Sequence, residues 1–280
     1  RPTGTARTLG RHVGMIVFAG PSLARADLSG HANVTVRPPA KQGDVYLASL
    51  DRPQAIGIID GYFEGVPSVW HKEILWALSQ GIAVLGAASM GALRAAELDS
   101  FGMIGIGSIY QAFSDGELED DDEVALLHGP EETGYVALSE AMVNVRATCA
   151  SASAAGIVTD RQSLQIVDTA KSIYYKDRTW AGVLAAVAAV VPGDDRYSQF
   201  ADWIKQNRVD QKRLDAMALM DRLQNADFST VDAVDVRDFH FENTDLWQRN
   251  IVSWRQNGAS PNSDDELAYR LVRDERLYLR

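Results

Sequence analysis

Ser89 is the residue whose type and surroundings are best suited to chemistry. It follows the apolar run 82–85 and lies among small residues, where a strand is expected to pass into a helix. A serine at such a tip is typical of a nucleophile elbow, in which small neighbours let the crossing backbones approach closely. The elbow pattern is G-x-S-x-G, and Ala87 occupies the position of the first glycine. The spacing therefore predicts either a serine nucleophile or a purely structural turn.

His71 and Asp60 are the residues we expect to act with Ser89. Acyl transfer by a serine needs a base that takes the hydroxyl proton and a carboxylate that orients the base. Asp60 follows a predicted strand, and His71 begins the next predicted helix, where it has the alternative role of capping that helix. His128, at the end of another apolar run, is a second candidate base.

The predicted helix after Ser89 offers groups for binding a substrate. The amides of Met90 and Gly91 are candidate oxyanion donors, because N–H groups in the first turn of a helix lack partners. Arg94 and Glu97 lie one turn apart, so they either grip a substrate carboxylate or pair with each other. Lys72 has the same two interpretations.

The surrounding pattern indicates a parallel sheet with helices on both sides. Apolar runs alternate with amphipathic stretches, and each run is apolar on both faces, as in buried parallel strands. The predicted strands cover residues 15–19, 34–36, 55–59, 82–85 and 124–127. After residue 139 the strand signals stop, and the predicted helices cover residues 139–155, 160–173, 180–191, 197–207 and 210–225.

The predicted class is α/β, Rossmann-like or flavodoxin-like, followed by a helical C-terminal region. We interpret residues 1–14 as a tag or disordered tail, 15–138 as the α/β core and 139–280 as the helical region. Ligands of open parallel sheets bind at the carboxyl ends of the strands. That rule gathers the candidates at one edge of the sheet, namely Gly20, Ser22, Asp60, Gly61, Ser89 and His128.

Composition excludes several classes of protein. A formal charge of −11 argues against binding nucleic acid, since phosphate contacts require Lys and Arg. The single cysteine, Cys149, permits no internal disulfide and suits a reducing cytoplasm. No apolar run is long enough to span a membrane. Seven acids within residues 115–123 predict a solvated loop, with a Mg²⁺ site or a docking edge for a basic partner as the alternatives. Glycines within 102–107 predict turns, and no metal or cofactor is expected.

Several motifs in one order resemble the TfuA family. The resemblance spans about residues 15–146, roughly the first half of the chain. Its motifs are FAGPSL at 18–23, PPA at 38–40 with GD at 43–44, IDGYF at 59–63, VWHKEI at 69–74, GAASMGALRAAEL at 86–98, GM at 102–103 and DDEVA at 121–125.

The resemblance implies a role in the thioamidation of ribosomally made peptides or of a protein backbone. The implied partners are a YcaO enzyme, which activates backbone amides, and a ThiS-like sulfur carrier with a C-terminal thiocarboxylate; a precursor peptide is a further implied partner. The implied activity is hydrolysis of the thiocarboxylate to release sulfide, which is acyl chemistry suited to a serine, a base and oxyanion donors. The motifs favour Asp60, His71, Lys72, Ser89, Arg94 and Glu97 as site residues.

Two other functions fit the same sequence. One is a non-catalytic adaptor that docks the carrier or the peptide onto YcaO, and the other is a general serine hydrolase of small esters. We also infer from residue size that the small residues at 20, 61, 86, 87 and 91 leave room for a narrow Gly-Gly carrier tail. The sequence identifies neither the peptide substrate, the general base, the role of the helical half nor the oligomeric state.

Overall fold

Five parallel strands form the centre of the molecule. The computed structural model describes residues 14–28, 30–31, 33–191, 193–225, 228 and 239–258, so the predicted tail lies outside them except for Gly14. The strands are β1 (Met15–Phe18), β2 (Val34–Arg37), β3 (Ala55–Ile58), β4 (Ala83–Ala87) and β5 (Ile104–Ile106). All neighbours pair in parallel in the order β2-β1-β3-β4-β5, which confirms the α/β class. That order is flavodoxin-like, with its switch point between β1 and β3.

The fifth strand is not the one that the sequence predicted. Residues 124–127 form no strand. They follow a short 3-10 helix, and their apolar side chains pack against neighbouring helices rather than within the sheet. The fifth strand is Ile104–Ile106, within the glycine-rich stretch that was predicted to form turns. Gly105 is needed there because any side chain would collide with the Tyr110 ring, which would lie 2.2 Å from a Cβ atom.

Helices cover both faces of the sheet. The helices in the first half are α1 (Asp44–Leu50), α2 (His71–Ser79), α3 (Met90–Leu98) and α4 (Gly107–Ser114). On one face, Ile16, Ile56 and Val84 pack with apolar residues of α1, α2 and α3. The other face, including Val17 and Leu85, is covered by a helix from the second half of the chain.

That second half is helical, as the sequence predicted. Its helices are α5 (Met142–Ala154), α6 (Asp160–Lys171), α7 (Trp180–Val190), α8 (Asp195–Asn207), α9 (Gln211–Asn225) and α10 (Asp245–Asn257). Helices α5 to α8 share a core of their own. The division at residue 138 stays a prediction, but α9 packs Ala216, Leu219, Met220 and Leu223 directly against the strands.

Helix α10 packs elsewhere, against α1 and α2. Its Trp247 is fully buried and lies edge-on to Tyr46 with ring centroids 5.4 Å apart. Trp76 of α2 and Trp254 of α10 also contact the Trp247 ring. Among the helices of the described ranges, none is both long and apolar enough to cross a membrane.

Candidate active site

The turn between β4 and α3 places the Ser89 hydroxyl at the carboxyl edge of the sheet. The Ser89 amide donates a 2.7 Å hydrogen bond to the Ala87 carbonyl oxygen, which closes a three-residue γ-turn around Ala88. Ala88 has a φ of 66°, a conformation that costs an alanine about 1–2 kcal/mol. In an elbow of the predicted type the serine itself has the strained backbone. Here the strain lies one residue earlier, and Ser89 has a φ of −128°.

Two glycines allow this turn because three backbones meet there. A Cβ on Gly91 would lie 1.7 Å from the Ile58 carbonyl oxygen, and one on Gly86 would lie 2.1 Å from the Gly91 carbonyl oxygen. The Gly91 amide donates a 3.2 Å hydrogen bond to the Ile59 carbonyl oxygen, so it is not the open oxyanion donor that we predicted. The small residues at 86 and 91 are required by internal packing rather than by a carrier tail.

Met90 and Gly61 lie close together beside this turn. Met90 is the first residue of α3, where the amide has no partner within the helix, so it remains a candidate oxyanion donor. Its side chain is buried against the sheet. A Cβ on Gly61 would lie 2.8 Å from Met90 Cγ, which explains the glycine without a ligand.

Ser89, Asp60 and Gly61 line one small cavity of about 30 Å³. Its lining also includes Pro21 from the turn after β1, so the cavity lies at the switch point between β1 and β3. A volume of about 10–15 Å³ holds one water molecule, so the cavity admits only a group of a few atoms. The geometry thus brings together three residues that the sequence placed at one edge.

Asp60 is buried, and its carboxylate is fully engaged. It accepts hydrogen bonds from the Gly20 amide at 2.8 Å, the Ser22 amide at 3.0 Å and the Ser22 hydroxyl at 2.7 Å. Gly20 and Ser22 were predicted to contact a substrate; in the structure, their donors hold Asp60. The carboxylate therefore fixes the turn after β1 at the edge of the cavity.

His71 is not part of the cavity lining and pairs with Glu97 on the surface. Its Nε2 lies 2.7 Å from Glu97 Oε2, and Arg94 donates to the same oxygen at 2.7 Å. Burial opposes ionisation of Glu97, but the hydrogen bond from His71 and the charge of Arg94 lower its pKa below the usual value. Arg94 also donates to the Val69 carbonyl oxygen. These three residues form a cluster separate from Ser89.

Lys72 lies on the outer side of the same helix. Its Nζ donates a 3.2 Å hydrogen bond to the Thr244 hydroxyl and lies 5.5 Å from the centroid of the Phe241 ring. This lysine therefore helps to hold the segment before α10 against α2.

His128, which we expected at the same edge of the sheet, does line the cavity. It is buried, its Nδ1 lies 2.7 Å from the Gly129 carbonyl oxygen, and the rings of Tyr62 and Tyr135 contact it. It comes from a coil that bridges to Ala137 rather than from a strand.

Lys212 is the cavity residue that sequence reasoning missed. It is the second residue of α9, and only 2% of it is exposed. Its Nζ donates to the Val124 carbonyl oxygen at 2.7 Å and lies 4.0 Å from Asp60 Oδ1. Burial lowers its pKa, against the opposing charge of Asp60. A signal was present: Lys212 occupies the apolar stripe of α9, ahead of residues 216, 219 and 223.

Most acids of the run 115–123 are exposed, as the sequence predicted, but Glu123 at its end is buried. Glu123 accepts two hydrogen bonds from Arg146, both 2.9 Å, and one from Lys171. Burial opposes ionisation of Glu123, but these partners lower its pKa. Across the residues that the structure describes, no three or more His, Cys, Asp or Glu side chains are grouped to hold a metal ion.

The sheet order and the cavity at its switch point define a doubly wound α/β protein whose site contains a serine hydroxyl beside a buried carboxylate. Residues 60–179 match the family described as TfuA-like protein. The match confirms the resemblance to the TfuA family for this part of the chain. The matched range covers Asp60, His71 and Ser89 but begins after β3 and ends before Lys212. No curated protein matches the chain.

Proposed function

We propose that this protein hydrolyses the C-terminal thiocarboxylate of a ThiS-like sulfur carrier and supplies the sulfide to a YcaO enzyme. The match to the TfuA-like family is consistent with a role associated with thioamidation. The observation that supports the hydrolytic step is the position of Ser89, whose side chain lines a cavity at the switch point beside Asp60. The cytoplasm is the proposed location, because the single cysteine suits a reducing compartment.

The proposed reaction has two steps at Ser89. The hydroxyl oxygen attacks the carbonyl carbon of the thiocarboxylate anion, the carbon–sulfur bond breaks, and the sulfur leaves as hydrosulfide, HS⁻, which carries the hydroxyl proton. Water then cleaves the serine ester, which releases the carrier carboxylate and one proton and restores the hydroxyl. The Met90 amide, at the start of α3, is the proposed donor to the oxyanion.

The cavity size supports a substrate with a narrow end. Only a few atoms fit beside Ser89, so the remainder of an acyl chain must lie outside the cavity. The unbranched end of a carrier tail meets that requirement, whereas a bulky acyl group does not.

A non-catalytic adaptor is the second candidate, and one observation favours it. In the described part of the chain the Ser89 side chain makes no capping hydrogen bond, and His71 is held by Glu97. An adaptor would use the same cavity only to hold a carrier or peptide for YcaO.

The test measures sulfide released from a thiocarboxylated ThiS-type carrier by the purified chain. Wild type is compared with Ser89→Ala, with His71→Ala and with Ser79→Ala, a control at an exposed serine in α2. We expect wild type and Ser79→Ala to release sulfide at similar rates. Ser89→Ala should release it at least a hundredfold more slowly, which is about the rate factor of one catalytic group. Loss in His71→Ala as well would show that the surface cluster with Glu97 affects the site, since His71 does not line the cavity.

The opposite result would support the adaptor. If wild type releases no sulfide but binds the carrier, and if Ser89→Ala still supports thioamidation by YcaO, the hydrolase proposal is wrong. Turnover of simple esters by the chain alone, without preference for the carrier, would instead indicate a general serine hydrolase.

A further inference from the structure

The ammonium group of Lys212 has more hydrogen-bonding capacity than the described residues use. It carries three protons. One is donated to the Val124 carbonyl oxygen, and the Asp60 carboxylate at 4.0 Å is too distant for a hydrogen bond. Since Asp60 already accepts three hydrogen bonds from Gly20 and Ser22, it balances the charge of Lys212 without occupying its remaining protons. A buried ammonium with protons to spare is costly unless it serves a partner.

Lys212 also stands where two spaces meet. It lines the cavity that contains Ser89, and it lines an adjoining groove of about 520 Å³. The two spaces share Pro21, Leu126 and Lys212. The groove has the size of a ligand site, about 300–1,000 Å³, whereas the cavity holds only a few atoms. A substrate lying in the groove would therefore reach Ser89 only with its end group, and that end would pass Lys212.

The charges around the groove suit an anionic ligand. Lys205, Arg208 and Lys212 line it, together with Glu140 and Asp210. Cations outnumber carboxylates there, although the whole chain has a formal charge of −11. Arg208 lies 3.9 Å from Glu140, and Lys205 pairs with Asp202; both side chains are exposed. Lys212 is the buried cation of the three.

We infer that Lys212 binds the negatively charged end of the substrate, a terminal carboxylate or thiocarboxylate on an extended chain of small residues that lies in the groove. The thiocarboxylate in this inference rests on the proposed function, whereas binding of a terminal carboxylate does not. The chemistry explains why such a cation is needed: an anionic acyl group resists attack by a hydroxyl unless its charge is balanced in the site. Burial strengthens that interaction because water does not screen it. Lys212 is a binding residue, and Ser89 remains the nucleophile.

Its test is binding of two short peptides that differ in one charge. Acetyl-Gly-Gly with a free carboxylate and acetyl-Gly-Gly amide are titrated into wild type, Lys212→Met and Lys41→Met, with calorimetry as the readout. Methionine keeps an unbranched stem but removes the charge, and Lys41 is the matched control because it is a partly exposed lysine that lines neither the cavity nor the groove. We expect wild type and Lys41→Met to prefer the carboxylate by about tenfold or more, the effect of one charge-assisted hydrogen bond. Lys212→Met should lose that preference.

A second measurement covers the case in which Lys212→Met does not fold because Asp60 is left unbalanced. Wild type labelled with ¹⁵N and ¹³C in its lysine side chains is titrated with the same peptides, and the Lys212 signal is assigned through Lys212→Arg. A shift of the Lys212 signal with the carboxylate and not with the amide supports the inference. No shift of that signal while the carboxylate binds, or an unchanged preference in folded Lys212→Met, would overturn it.

These outcomes are separate from those of the proposed function. Both measurements detect binding without turnover, so charge-selective binding through Lys212 together with no sulfide release would keep this inference and reject hydrolysis. Sulfide release that is unaffected in folded Lys212→Met would reject this inference and keep hydrolysis.

Discussion

Gly91→Ala should disrupt the turn that presents Ser89, and the structure fixes the size of the effect. The added Cβ would lie 1.7 Å from the Ile58 carbonyl oxygen, and real Cβ atoms essentially never approach closer than 3.0 Å. Helix α3 would therefore have to move from β3 by at least 1.3 Å, the difference between these two distances. Such a movement stretches the 3.2 Å hydrogen bond from the Gly91 amide to Ile59 beyond bonding distance.

The cost has two parts. Loss of a buried hydrogen bond costs about 1–3 kcal/mol, and overpacking costs about the same, so we expect the free energy of unfolding to fall by about 4 kcal/mol. For a chain of this size that corresponds to a fall in Tm of about 8–16 °C. Sulfide release should fall as well, because Ser89 moves with α3.

The assay compares thermal and urea unfolding of Gly91→Ala with those of Gly81→Ala. Gly81 lies just before β4, and a Cβ there would meet nothing within 4 Å. Its φ of 76° still costs an alanine about 1–2 kcal/mol. If Gly91→Ala were no less stable than Gly81→Ala, the close approach of α3 to β3 would not be a requirement of the fold, and the reasoning would be refuted.

Two further predictions concern Glu123 and Cys149. Glu123→Gln should lower the free energy of unfolding at neutral pH by about 1–3 kcal/mol, because it leaves Arg146 and Lys171 without their shared carboxylate while both are partly solvated. The pKa of Glu123 is lowered from the usual 4.5 in the folded state, so this stability is present above pH 4.5 and is lost as the pH falls through the folded-state pKa. Urea titrations should therefore show the difference in unfolding free energy between variant and wild type shrinking in acid. A difference that stays constant with pH would contradict the prediction. Cys149 is buried and burial raises its pKa to about 12, so a thiol reagent should label it only as fast as the protein unfolds, and rapid labelling of the native chain would contradict this.

The strands show what a sequence pattern can and cannot reveal. Strands β1, β3 and β4 were predictable because each is a continuous run of small or apolar residues buried on both sides. Strand β2 lies at the sheet edge and is partly exposed, and its β-branched residues made it recognisable. The fifth was missed because it has three residues with a glycine at its centre, which is also a pattern of turns. Residues 124–127 were chosen instead, since apolarity alone does not distinguish a strand from a coil covered by helices.

The site divides in a similar way. Asp60, Gly61 and Ser89 were predictable together, because parallel strands bring their carboxyl ends to one edge. Lys212 lies on a helix far along the chain. Its place in the apolar stripe of α9 indicated burial, but strand order does not connect that helix with this edge. The separation of His71 from the cavity was equally invisible, since its pairing with Glu97 depends on how α2 and α3 lie side by side.

The origin of the helix that covers the sheet has a consequence for synthesis on the ribosome. All five strands have been translated by Ile106, but α9, which covers one face, ends only at Asn225, 119 residues later. At about 5–20 residues per second, that face stays bare for about 6–24 s while the chain emerges. Val17 and Leu85 point to that side, and parallel strands pair slowly. The nascent protein therefore passes through a period in which an apolar surface is exposed to chaperones and to neighbouring chains before α9 can close it.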